Sequence, residues 1–184
     1  MNYDFEEATN ASLTSSIEIT YDSDFEQRVL TFSEQIAIAK QTEIHHSLDC
    51  NNEVKRFSTG IFGEYALEKL LGIDIIDWTV GDSKDYNNPD IPGYRVGIKT
   101  VEYGKFPVIF KIHYYPQMIC VLRREQRKVH VCGLATVPVL NRYQDIDLIM
   151  SPALKARGTK TGFYGFDYLE RINSLSDLEV YKKI

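Results

Sequence analysis

Apolar side chains recur at helical spacing from Ile61 through Tyr65, Leu67, Leu70 and Leu71, and Gly72 follows where a helix C-terminal glycine belongs. Ser58 or Thr59 is suited to cap the start of this helix, with Glu64 in its early turns. Ile73 to Trp78 then reads as a short β-rich run. A polar loop of Gly, Asp, Ser and Asn ends at Pro89-Asp90, and Tyr94 to Thr100 leaves it as a strand. Upstream, Met1 to Ser16 is poor in large apolar residues and is expected to be mobile. Ser16 to Tyr21 alternates like an edge strand. Asp22-Ser23-Asp24 offers a cap for a helix from Phe25 to His45 with Val29, Phe32, Ile36 and Ala39 or Lys40 on its core face. Asp49 to Asn52 reads as a turn.

Downstream, Phe106 to Tyr115 predicts a strand with Val108, Phe110 and Ile112 on one face, which Pro116-Gln117 breaks. Met118 to Leu122 and Val129 to Gly133 are two short apolar strands. The six residues between them, Arg123 to Lys128, include four bases, so a hairpin with a positive tip is expected. A short helix is predicted within Leu140 to Ile149 and another over Phe166 to Ile172, with a last turn at Ser174 to Glu179. No repeat or low-complexity linker divides the chain. The order of elements predicts an α+β (mixed α/β) fold, a central mixed sheet flanked by helices. Residues 1–55 read as an N-terminal extension carrying a helix, packed on or beside a core domain of residues 56–184.

Composition changes this picture little. The 184 residues are 43% apolar and 12% aromatic, enough for one buried core. No apolar run is long enough to span a bilayer and the first residues are not signal-like, so a cytoplasmic protein without a membrane partner is expected. Cys50, Cys120 and Cys132 have neither disulfide-framework nor zinc spacing. His45-His46 are adjacent and diverge by about 100° on a helix, so they do not read as a metal pair.

Charge is more informative. Residues 1–90 hold 6 Lys+Arg against 18 Asp+Glu, a balance of −12; residues 91–184 hold 15 against 8, a balance of +7; together they return −5. This division suggests an electrostatic face and allows a polyanion partner. Walker, nucleophile-elbow and dinucleotide glycine motifs do not occur, which removes the main ATPase, hydrolase and Rossmann readings.

An acid before a strand, a lysine within it and a glutamate on the preceding helix suit phosphodiester chemistry. Pro89-Asp90, Ile98-Lys99-Thr100 and the Gly63-Glu64-Tyr65-Ala66-Leu67 segment together resemble the PD-(D/E)xK nuclease superfamily, over roughly Arg56 to Gly133. Gly97 stands where that family carries a strand acid. The resemblance implies a restriction-endonuclease-like core and a DNA-hydrolysing enzyme dependent on Mg²⁺ or Mn²⁺. Asp90, Lys99 and Glu64 would be catalytic, and Asp90, Glu64 and the Ile98 carbonyl would hold the metal. Glu64 is the natural substitute for the missing acid, with Glu68 one turn away. Glu102 falls on the face opposite Lys99. DNA is the implied partner, bound through Arg123, Arg124, Arg127 and Lys128 at the hairpin tip and through Lys155, Arg157 and Lys160. A homodimer remains open. The competing reading is a catalytically inactive protein of this fold that binds DNA or a protein, and Gly97 favours it. Docking on another protein through residues 1–56 is a third reading.

Overall fold

The computed structural model describes residues 3–40, 50–80 and 89–183. His45-His46 and most of the polar loop after Trp78 lie outside them. The described chain is mixed α+β, with two antiparallel or mixed sheets and helices on both faces of the larger one. Strand β4 (Gln117–Arg123) explains the layering. Its alternate residues Met118, Cys120 and Leu122 enter one buried cluster, and Ile119 and Val121 enter another. A strand covered on both faces reads as an unbroken apolar run, which Met118 to Leu122 is.

Around β4 the sheet order is β1-β5-β4-β2, with β1 spanning Ile17–Thr20, β2 Gly97–Glu102 and β5 Lys128–Ala135. β5 runs antiparallel to both β1 and β4, whereas β2 is parallel to β4 in the register Gly97↔Gln117 and Lys99↔Ile119. The β4–β5 hairpin is the one expected, with residues 124–126 as a single 3₁₀ turn at its tip. Helix α2 (Ser23–Lys40) packs on helix α3 (Cys50–Leu71), and α3 lies against β2 and β5. Phe62, Ala66 and Leu67 of α3 are fully buried there, against Met118, Leu122 and Val131.

Helix α3 starts at Cys50 and so runs through both the expected turn and the expected boundary at residue 55. Ser58 and Thr59 are therefore not caps. Their hydroxyls donate back to the Lys55 carbonyl at 3.0 and 2.7 Å, which lets both residues sit inside the helix. The run from Ile73 to Trp78 is irregular and joins no sheet among the described residues. Glu68 holds it instead, its Oε1 accepting from the Ile75 and Ile76 amides at 2.8 and 2.7 Å.

The N-terminus departs most from expectation. Residues Phe5–Ser15 form helix α1, capped by the Asp4 carboxylate on the Glu7 amide at 3.1 Å. Phe5 inserts among Tyr103, Phe106 and Phe166, while Thr9 and Ser12 complete the buried face. A face built from one ring and two small hydroxyls carries little hydrophobic periodicity, so it does not read as a core helix.

The second sheet has the order β3-β7-β6, from Val108–Phe110, Lys160–Phe163 and Gln144–Asp145. Here the predicted strand shrinks to three residues and its faces invert: Ile109 is 1% exposed, against 52% for Phe110 and 68% for Ile112. Apolar residues occupy both parities of this segment, so alternation could not say which parity meets the core. Helix α4 (Val137–Arg142) starts before the predicted position, and residues 146–148 and 166–168 form only 3₁₀ turns. The last turn, 175–181, carries a capping box between Ser174 and Asp177.

Candidate active site

Two glycines bring the site together. A Cβ at Gly63 would overlap the Thr100 side chain, so α3 crosses β2 at a distance only a glycine permits. That approach carries Glu64 onto the edge of the sheet, where it is half-buried. β2 is the outer strand, and its odd-numbered residues bond β4: the Gly97 amide donates to the Pro116 carbonyl at 2.9 Å, and the Tyr103 amide donates to the Leu122 carbonyl at 2.9 Å. Ile98 therefore turns its amide and carbonyl to the open edge. Asp90 occupies that edge, its Oδ2 accepting from the Ile98 N–H at 2.6 Å.

Asp90 is coupled electrostatically to both other members of the trio. Burial and then the Asp90 charge, followed by those of Glu68 and Asp77, push the Glu64 carboxyl up to about 7. Asp90 keeps its outer side in solvent, yet the crowding of protein around it raises its carboxyl above the usual range, opposed by the Ile98 amide and by Lys99. Burial lowers the Lys99 ammonium, and Asp90 works against that loss. Glu64 approaches from the α3 face, while Lys99 rises from the opposite one, the same face as Ile119.

The space beside Gly97 on β2 is filled from the neighbouring strand. A Cβ on Gly97 would overlap the Gln117 amide, so the Gln117 side chain lies across Gly97 on the Lys99 side. Glu64 does not reach into that place from α3. Glu68 is engaged with the backbone of Ile75 and Ile76, and Glu102 with Arg124 and Thr59, so neither carboxylate is turned to the edge. Among the described residues no group of three or more His, Cys, Asp or Glu is arranged to hold a metal ion. Asp90 is bonded at the edge to which the Ile98 carbonyl also turns, and its charge is felt by Glu64; two carboxylates and a neutral oxygen are a donor set of the kind Mg²⁺ accepts alongside water and phosphate.

The basic candidates separate into two groups. At the hairpin tip Arg124 is half-buried and donates to Glu102 at 2.7 Å and to the Ser58 and Thr59 hydroxyls at 3.2 Å. Arg127 pairs with Glu26 at 2.9 Å, Lys128 pairs with Glu18 at 2.7 Å, and Arg123 lies 3.7 Å over the Tyr103 ring. Glu26 and Glu18 of the acidic first half thus pair with bases of the tip, Glu102 of the second half with a third, and phosphate at the tip would have to displace these carboxylates. Lys155 pairs with Asp147 at 3.3 Å on the surface. Lys160 differs. Its Nζ sits 3.0 Å from the Phe110 ring centroid, and burial, then Lys99, then Arg157 lower it to about 8. β7 therefore brings Lys160 within electrostatic reach of Lys99, and Arg157, just before β7, lies within electrostatic reach of Lys160.

Gln117 and His113 were absent from the sequence-based candidates. Burial lowers the His113 imidazole, as do the charges of Lys99 and Lys160, while the Phe110 carbonyl opposes them. The one sequence signal for Gln117 was Gly97 itself, which leaves room that a neighbour must fill. Comparison of the chain with family models, curated proteins and solved structures finds no match. No helix among the described residues is long and apolar enough to cross a membrane.

Proposed function

We propose that the chain is a metal-dependent nuclease that hydrolyses DNA phosphodiester bonds, with a restriction-endonuclease-like core of the PD-(D/E)xK type. The observation that carries this reading is Asp90, bonded to the open edge of β2 at Ile98 and electrostatically coupled to Glu64 on one side and Lys99 on the other. Two crowded carboxylates, one of them raised to about 7, resist ionising together, and a divalent cation would offset that cost. Asp90, Glu64 and the Ile98 carbonyl would hold Mg²⁺ or Mn²⁺, which supplies Lewis acidity and a lowered water pKa.

The chain's own contribution is placement and charge. Lys99 fixes a positive charge beside Asp90, where it stabilises the charge that develops on a phosphate and orients the attacking water. Lys160 and Arg157 add positive potential on the same side and draw in the polyanion. Gln117 favours a second reading: its amide covers the strand position of the missing acid, as expected of a nuclease fold that binds DNA or a protein without cutting.

Incubation of plasmid DNA with the protein, with and without Mg²⁺ or Mn²⁺, tests the two. Metal-dependent cleavage is expected, and Asp90→Ala or Lys99→Ala is expected to reduce it by at least about a hundredfold in protein that remains folded by circular dichroism. Variants that cut like the wild type would place the chemistry elsewhere. Binding without cleavage in either metal would establish the second reading.

A further inference from the structure

On the Lys99 side of the sheet, a groove of about 590 Å³ opens between the segment 110–115, Gln117 and the turn at Gly158-Thr159. Its size suits a small organic group. The walls are unusual for a protein surface: Phe110, Ile112 and Tyr114 lie close together in sequence and are 52%, 68% and 80% exposed. Polar groups sit among them, with the Gln117 amide at one side and a His113 Nε2 that has no partner among the described residues. Cations complete the setting. Lys160 stands over Phe110, Lys111 lies in the groove wall, and both Lys160 and His113 are within electrostatic reach of Lys99.

Exposed aromatic and aliphatic side chains, an amide able to donate and accept, and lysines beside them match a nucleotide: base, base edge and phosphate. We propose that this groove is a nucleobase subsite, which takes the base of an unpaired nucleotide while the adjoining phosphate lies on Lys99 and Lys160. The inference rests on the phosphodiester reading of the Lys99 site and gives that site its substrate class: single-stranded ends or flaps, or bases turned out of a duplex. A paired, stacked base has both faces covered and cannot enter.

The test measures binding in the absence of metal, by fluorescence anisotropy. The probes are a short single-stranded oligonucleotide, the same strand with an abasic unit at each position in turn, and a blunt duplex of equal length. Removing the base at one position is expected to weaken binding by about tenfold. Ile112→Ala/Tyr114→Ala, at two exposed positions, is expected to weaken the intact strand by the same factor, with no further loss on that abasic strand or on the duplex. Abasic strands that all bind like the intact one would overturn the proposal, as would an equal loss on the duplex. A sedimentation change in the double variant with unchanged oligonucleotide binding would overturn it too, by making the groove a protein interface. Base-indifferent binding alongside Asp90-dependent cleavage removes the subsite and keeps the nuclease. Base-dependent binding without cleavage does the reverse.

Discussion

Glu64→Gln keeps the shape and hydrogen-bonding capacity of the side chain and removes its charge, so it isolates the cost of a carboxylate beside Asp90. The Glu64 carboxyl titrates at about 7 in the folded protein, against the usual 4.5, because burial and the Asp90 charge disfavour ionisation. The folded state therefore binds more protons than the unfolded state between these values, and stability falls as pH rises through that window. The difference, 7 − 4.5 = 2.5, corresponds to about 3 kcal/mol at 1.36 kcal/mol per pH unit. Urea unfolding of both proteins at about pH 4 and about pH 8 should show the wild type losing about 3 kcal/mol relative to Glu64→Gln. Mg²⁺ at a hundred times its Kd should return about 2.7 kcal/mol to the wild type at the higher pH and little to the variant. A stability difference that does not change with pH would refute the coupling of Glu64 to Asp90. A variant that gains as much from Mg²⁺ as the wild type would refute Glu64 as a ligand.

Three other substitutions probe the scaffold. Gly63→Ala should destabilise the wild type by about 1–3 kcal/mol through overlap with Thr100, and should cost less in a Thr100→Ala background, where the overlap with the hydroxyl is gone and only the 2.9 Å approach of the Cβ at position 100 remains. Chemical denaturation of the four proteins reads the reduction. Gly97→Ala meets only the flexible end of Gln117, so it should cost less than about 1 kcal/mol in the same measurement while displacing that amide from the site. Arg124→Met leaves the Glu102 carboxylate without its cation, and should lower stability by about 3 kcal/mol, much of it recovered by adding Glu102→Leu.

Much of the scaffold is legible along the chain because its signals are local. The apolar period from Ile61 to Leu71 and the unbroken run of β4 each report burial of their own segment, so the C-terminal half of α3 and the central strand were expected where they stand. Pro89-Asp90, Lys99 and Glu64 were recognisable by type and spacing. Signals fade where a residue's role depends on a distant partner. Helix α1 is held by Phe5 among rings from two distant segments, and nothing in residues 1–16 encodes those rings. Ile109, not Phe110, faces inward because β3 pairs with β7, some fifty residues later. Arg124, Arg127 and Lys128 look like a free basic tip until the fold sets Glu102, Glu26 and Glu18 against them. The site divides in the same way. Sequence alone singled out Asp90, Lys99 and Glu64 as candidates by residue type and spacing. Only the parallel register of β2 on β4 decided that Gln117 covers Gly97, and only the second sheet decided that Lys160 joins Lys99. Side-chain type and periodicity are properties of one strand or helix, whereas register and sheet order are set by the whole chain's packing, which no single segment specifies.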